Sequence, residues 1–422
     1  MSARVDVAVV GAGLAGLACA RELTRSGLGV LVVEEGDAVG GRVRTDHVDG
    51  FTLDRGFQVL NTGYPALRGL VDLLALDLRA FDPWVGVLRD GKRFLVGNPL
   101  QDVRSAPSTL RAPIGGLRGK AATAVYLARC LSLPARVVKR RPDVSTAEAW
   151  RRAAIPAEVV DDLLRPFLAG VVLEEELTTS RHFTDLMLRM FALGRSTVPS
   201  GGMQRLPEQI AAQLPDGVVR LGSRAHSVSP DRVQADTGEV RARAVVVAAD
   251  GWSAGALVPA VPAPQPRGVT TAYHAAPLFP EATGALMLDA GPSPVANSLA
   301  ISVAAPEYAP PGRVLVSTSV VHGCAPPPSA GVDGPDLRAA LSRLHRTDAS
   351  AWELVASYTL PRALPGMPAP HPMRRTVRMP AAGGTVYVAG DHRDTSSIQG
   401  ALVSGRRVAR AVLQDLGVAS AG

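Results

Sequence analysis

Three glycines spaced as GxGxxG, in Gly11-Ala12-Gly13-Leu14-Ala15-Gly16, stand directly between an apolar run and a stretch of helical periodicity. The run before them, Val5 to Val10, is largely apolar, as a parallel strand covered on both faces must be. Leu14 to Ser26 carries its apolar residues at helical spacing, and Gly27 supplies a stop. Val30 to Val33 reads as a second strand, ended by Glu34. In that context each glycine has a task. Gly11 permits the tight turn, Gly13 lets backbone approach a pyrophosphate, and Gly16 lets helix and strand pack closely. The helix N-terminus faces the anion, and a carboxylate at the end of the second strand is placed to accept from ribose hydroxyls. The pattern predicts a dinucleotide site and leaves NAD and FAD both open.

The next stretch, Gly40-Gly41-Arg42-Val43-Arg44-Thr45, narrows the choice. A Gly-Gly pair allows another close backbone approach, and an arginine beside it can neutralise pyrophosphate with bidentate hydrogen bonds. A second phosphate device so soon after Glu34 points to the flavin dinucleotide.

At 422 residues the chain exceeds one ordinary core and predicts two domains. With 46% hydrophobic and 20% charged residues it has a globular profile; a disordered chain would be poorer in apolar residues and carry more net charge. No apolar run is long enough to span a bilayer. The chain enters its first strand almost at once, so no cleavable leader is expected. Cys19, Cys130 and Cys324 are far apart and form no CxxC pair, so neither a disulfide framework nor a zinc site is expected and a reducing cytoplasm is the expected home. The net charge of +7 is carried almost wholly by arginine; the lysines are Lys92, Lys120 and Lys139. Together with abundant Ala, Gly and Pro this reads as coding bias, and no nucleic-acid-binding signature accompanies it.

Beyond the opening, Tyr64 to Arg195 reads as mostly helical, its best segments being Gly119–Leu131, Ser145–Arg152 and Ala157–Ala169. Strands return at Gly217–Leu221, Ala225–Val228 and Ala244–Ala249. A proline-rich linker, Val258–Arg267, leads into a sheet over 268–360 with one helix at Asp336–Leu344. Thr385–Ala389 is a last buried strand, followed by Gly390-Asp391 and a final helix from Ile398. This order predicts an α/β, two-lobed flavoprotein. Its discontinuous Rossmann-like FAD-binding domain is built from 1–63, 196–267 and 366–422, and its α+β substrate domain from 64–195 and 268–365.

Gly11 to Leu17, then Glu34, then Gly40 to Thr45 resemble the opening of the flavin-containing amine oxidase and phytoene desaturase superfamily. Val386-Tyr387-Val388-Ala389-Gly390-Asp391 and Ile398-Gln399-Gly400-Ala401-Leu402-Val403-Ser404-Gly405 resemble its second flavin motif. Val198-Pro199-Ser200-Gly201-Gly202-Met203 and the middle strand ending at Asp250 also sit where that family places them. The resemblance implies an FAD-dependent oxidoreductase. Gly11, Gly13, Leu14, Ala15 and Gly16 would hold the pyrophosphate with Gly41 and Arg42. Glu34, with Glu35 beside it, would hold the adenosine ribose, and the Val228 backbone the adenine edge. Arg55-Gly56-Phe57-Gln58 would run along the isoalloxazine ring. Gly390 and Asp391 would meet the ribityl-pyrophosphate region, and the helix beginning at Ile398 would aim its N-terminus at the flavin pyrimidine edge, where a helix dipole favours the charge of reduced flavin.

Departures from that family shape the expected chemistry. Amine oxidases of the family place a late lysine near flavin N5, and no lysine follows Lys139 here. Ser397 falls where an aromatic cage wall would stand. The tethering cysteine of some members is absent, which implies non-covalent FAD. The reading that follows is a desaturase or oxidase that takes hydride at flavin N5 from a mostly apolar molecule, at a C–C or C–N bond. Its rivals are a flavin amine oxidase acting on amines with O2, and a redox-neutral isomerase or non-catalytic FAD-binding protein. Phe57, Gln58, Tyr273, His274, Tyr358 and Ser397 are the substrate-facing candidates, although Tyr or His on such strands is more often a packing residue. His322 and Cys324 lack further ligands at metal spacing, so no metal is expected. With no second GxGxxG, reoxidation falls to oxygen, a quinone or another diffusible acceptor. Leu100 to Pro142 holds nine basic residues and one acid, Asp102. It reads as a solvated helical face, with a membrane-peripheral surface as the alternative.

Overall fold

A computed structural model describes residues 3–138, 140–327 and 332–420. Its first large sheet gathers strands from distant parts of the chain. Val219–Arg220, Val30–Val33, Ala3–Val10 and Gly238–Val247 lie side by side in parallel, with Val10 opposite Val33 on one side and Val247 on the other. The strand Gly384–Val388 extends this parallel set, bringing Tyr387 and Val388 beside Val246 and Val247. The start of Gly238–Val247 also pairs antiparallel with Arg232–Ala235, which pairs in turn with Ala225–Ser229. Burial explains the apolar runs: Val7, Ala8, Val9, Val32 and Val245 to Val247 have no exposed surface. The first helix, Leu14–Arg25, and the final helix, Ile398–Leu416, pack together on this sheet. Gly405 sits at their closest approach, where a Cβ would lie 2.1 Å from the Ala15 carbonyl oxygen.

The second large sheet has seven strands, in the order Glu353–Pro365, Pro266–Pro277, Arg313–Gly323, Asn297–Ala300, Leu286–Asp289, Trp84–Arg89 and Lys92–Gly97. Its neighbours are antiparallel except for Leu286–Asp289 against Trp84–Arg89. Helix Pro335–His345 covers one face through Leu337, Leu341 and Leu344, against Ala272, Val314 and Val316. Helices between 105 and 193 form a separate core around Trp150, Leu168 and Leu188, which reaches the sheet at Val87.

The expectation of a mostly helical 64–195 needs correction. Leu78–Ala80, Trp84–Arg89 and Lys92–Gly97 are strands. The last two form a hairpin turned at Asp90-Gly91, with φ of +49° and +71°. Those left-handed angles are what a two-residue hairpin turn demands, and Asp-Gly is its sequence signature. The expected helix Ala157–Ala169 is also interrupted: a π turn at Val160–Leu164 separates Ala157–Val159 from Arg165–Val172.

Candidate functional site

The parallel strands of the first sheet end together at Val10, Val33, Val247 and Val388, and ligands of open α/β sheets gather at such carboxyl ends. The turn after the first strand begins at Gly11, with φ +102° and an imaginary Cβ 2.9 Å from the Ala248 carbonyl oxygen. Gly16 is equally confined, since its Cβ would lie 1.9 Å from the Gly11 oxygen. Gly13 is different. Its φ is an ordinary −71°, and the nearest atom to its imaginary Cβ is the Gly40 oxygen at 4.0 Å. Among the described residues nothing crowds a side chain there. Gly41, in the left-handed region at φ +60°, faces it with only backbone between. The two loops thus meet over a floor without side chains, bridged at Gly13 and Gly40. The helix that starts at Leu14 has neither a side-chain cap nor an acid in its first turn. An open glycine floor beside an uncapped helix N-terminus fits a pyrophosphate.

Glu34 stands at the edge of this floor. It accepts the Ala12 N–H at 2.6 Å through one carboxylate oxygen and the Gly36 N–H at 2.9 Å through the other. Each oxygen keeps acceptor capacity for a ribose hydroxyl. Glu35 is exposed and lies 3.7 Å from Arg224. The segment after Arg220 reaches this corner through Gly222 and Ser223, whose N–H groups donate to the Gly36 and Glu34 carbonyls. Val228 lies further along, opposite Val233 in the hairpin.

Arg42 joins the two ends of the chain. Its guanidinium donates to Asp391 Oδ2 and to the Ala363 carbonyl, both at 2.7 Å. From Asp391 to Ser396 every residue is polar and buried. Among the described residues both ring nitrogens of His392 and the Ser396 hydroxyl find no hydrogen-bond partner, and burial pushes His392 down to about 4. Gly390, at φ +147°, gives its place to the His392 ring, which lies 2.4 Å from where a Cβ would be. Ser397 caps the final helix, its hydroxyl accepting the Gly400 N–H at 3.1 Å. Ile398 opens that helix, and Gln399 holds the Ala66 N–H at 2.9 Å.

Between the two large sheets runs the segment Arg55 to Gln58. Gln58 donates to the Arg42 and Arg55 carbonyls. The Phe57 N–H donates to Thr271 Oγ1 at 3.2 Å, and its ring stacks on Phe81 with centroids 6.1 Å apart. Gly56, at φ +93°, faces Leu360. Arg55 forks onto Asp46 with two bonds of 2.9 Å and holds that carboxyl below its usual range, while the Tyr358 hydroxyl donates to the same group. Tyr273 stands edge-on to Tyr358, is fully buried, and donates to the Asp54 carbonyl.

His274 does not join them. Successive residues of a strand face opposite ways, so with Tyr273 directed at Asp54 the imidazole turns to the far side. There it meets Asp333 at 3.2 Å and the Trp352 ring, and burial lowers its pKa. Its expectation as a substrate-facing residue is corrected on that ground.

Sequence reasoning missed Asp54. Its carboxylate is buried and accepts from Thr45 Oγ1 at 2.6 Å, the Met203 N–H at 2.8 Å and the Tyr308 hydroxyl at 3.0 Å. Burial pushes it up to about 6. The short segment Phe51-Thr52-Leu53, apolar at its two ends and followed by an acid, is the local signal, and Met203 and Tyr308 lie far along the chain.

Residues 14–413 match the family model of flavin containing amine oxidoreductases. The chain belongs to that family. Its cofactor is accordingly FAD. Among curated relatives, putrescine oxidase of Kocuria rosea is 29% identical over 285 residues, covering 58% of this chain and 56% of the relative. Protoporphyrinogen oxidase 2 of Arabidopsis thaliana is 26% identical over 259 residues, 53% of this chain and 50% of the relative. These matches span about half the length of those relatives. A solved structure of wild-type putrescine oxidase bound to putrescine superposes with a TM-score of 0.71 at 20% identity, over 98% of this chain and 100% of that one. At that identity the likeness is one of fold. Members of this amine oxidoreductase family thus carry quite different substrate names on one architecture, and the substrate must be argued from the site.

Among the described residues no group of three His, Cys, Asp or Glu side chains is placed to hold a metal ion, and no helix is long and apolar enough to cross a membrane.

Proposed function

We propose that this protein is an FAD-dependent oxidase of a sizeable, mostly apolar organic molecule, attacked at a C–C or C–N bond, with dioxygen as the electron acceptor. The flavin, when bound, supplies the hydride-accepting chemistry. The chain supplies the rest. Gly13, Gly41, Arg42 and the N-terminus of Leu14–Arg25 would take the pyrophosphate, and Glu34 the ribose. The N-terminus of Ile398–Leu416 would favour negative charge on the ring. Phe57, backed by Phe81 and fixed through Thr271, would offer an aromatic wall.

The observation that carries this choice is the state of three polar groups, Asp46, Asp54 and Ser397. Asp46 is taken by Arg55 and Tyr358, Asp54 by Thr45, Met203 and Tyr308, and Ser397 by the helix it caps. The charge of Asp46 is answered by Arg55 and Asp54 is 1% exposed, so neither presents a free carboxylate to an ammonium group. Cation–π contacts contribute roughly 0.5 to 2 kcal/mol, and Ser397 can offer none. The 29% identity to a putrescine oxidase favours a second reading, oxidation of amines. Anaerobic reduction separates the two: polyenes, terpenoids and N-heterocycles should bleach the flavin faster than benzylamine and polyamines. Fast bleaching by small primary amines, with the apolar panel inert, would replace the first reading by the second.

A further inference from the structure

Between Asp102 and Asp143 the sequence holds nine arginines and lysines and no acid. This stretch forms the helices Ser105–Arg111 and Gly116–Ser132, and its outer surface is not the solvated face that a soluble helix presents. Leu100, Val103, Leu110, Leu117 and Val125 are 66%, 78%, 60%, 79% and 51% exposed. With Val137 they are six of the thirteen exposed large aliphatic side chains among the described residues. On the longer helix Gly119, Tyr126 and Cys130 face the core, while Leu117, Ala121, Ala124, Val125 and Ala128 face outward. A helix on a protein surface normally turns its charged side to water. Here the outward side is an apolar stripe with arginines set along it.

Those arginines are available. Among the described residues no acid forms an ion pair with Arg111, Arg118 or Arg129; Asp102 lies 3.9 Å from Arg104, and Asp185 is taken by Tyr126 and Arg181. Lys120 is engaged differently, donating to the Leu110 and Ala112 carbonyls and so tying the two helices together. A nucleic acid would answer the charge but would leave the leucines in water. A bilayer with anionic headgroups answers both. Aliphatic side chains enter the acyl boundary, while guanidinium groups on long stems stay at the phosphates.

We propose that the two helices spanning Ser105–Ser132 are an interfacial docking surface for an anionic lipid bilayer. Leu110, Leu117 and Val125 are its anchors, and Arg111, Arg118 and Arg129 its headgroup contacts. The contact lies on the membrane surface, and it is independent of the substrate argued above.

Flotation of the full-length, FAD-loaded protein with lipid vesicles tests this. The protein should float with vesicles of equimolar phosphatidylcholine and phosphatidylglycerol, and stay behind with phosphatidylcholine alone. Added salt should release it. Replacing Arg111, Arg118 and Arg129 by Gln should weaken partitioning roughly fivefold per arginine, and Leu117→Asp with Val125→Asp should abolish it. Flavin content reports that each variant is folded. A parent protein that ignores anionic vesicles would overturn the proposal, as would a Leu117 and Val125 variant that partitions like the parent. Retention on polyglutamate without any flotation would also overturn it, in favour of an acidic protein partner.

Discussion

Arg42 Nη2 lies 2.7 Å from Asp391 Oδ2, joining the second glycine motif near the N-terminus to the Gly-Asp turn near the C-terminus. Asp391 is 5% exposed, so its carboxylate leans on that guanidinium. Arg42→Ala strands a buried acid and removes the proposed phosphate donor together. It should weaken FAD binding by about 1.5 to 3 kcal/mol, and more at low salt, where phosphate attraction is least screened. Titration of the apoprotein with FAD, followed by flavin fluorescence at two ionic strengths, measures both effects.

Glu34→Ala should weaken FAD binding by a similar amount, on the order of 1.5 to 3 kcal/mol, because the charge-assisted bonds proposed to the ribose are lost. It also leaves the Ala12 and Gly36 N–H groups without their acceptor, so the glycine turn should loosen. Glu34→Gln keeps one acceptor oxygen and should fall between Ala and the parent in the same titration.

Asp54 gives a pH signature. Its folded pKa of about 6 stands above the 3.8 of a free aspartate, so between those values the folded state binds more protons than the unfolded one. Stability from this group therefore falls as pH rises through the window, and the cost is complete above about pH 6. A shift of this size corresponds to roughly 2 to 3 kcal/mol. Asp54→Asn keeps an acceptor for Thr45 and Met203 and should remove that loss. Asp46, lowered by Arg55, contributes the opposite slope at lower pH, but does so equally in both proteins. Urea midpoints of parent and variant should converge near pH 4 and diverge toward pH 7; parallel profiles would refute the assignment.

Ser397→Ala removes the cap of the final helix and should cost about 1 kcal/mol of stability. Because its hydroxyl is turned to Gly400, the variant should keep the parent's order of preference among substrates in the anaerobic reduction panel. A changed order would place Ser397 against the substrate instead.

How much of this was legible in the sequence follows the range of each signal. The opening strand, glycine turn and helix, the strands at 30–33 and 384–388 and the final helix are local patterns, and a reader of one window finds them. The hairpin at 84–97 carried its own Asp90-Gly91 signature but lay inside a region weighed as helical. His274 and Tyr273 were paired because they are adjacent, although a strand's alternation separates them. Asp54 was out of reach for a different reason. Its role exists only through Thr45, Met203 and Tyr308, the last 254 residues away, and no local periodicity announces such a contact.

Gly13 offers the most direct test of the account, because the fold itself has room for a side chain there. Gly16→Ala would set a methyl 1.9 Å from the Gly11 oxygen and should destabilise the protein with or without cofactor. Gly13→Ala has an ordinary φ and 4.0 Å of clearance. Its apoprotein should melt at the parent's temperature, while its FAD affinity should fall by about tenfold or more, a loss of roughly 1.4 kcal/mol at least. A Gly13→Ala protein that binds FAD as tightly as the parent would contradict the placement of the pyrophosphate over Gly13 and Gly41.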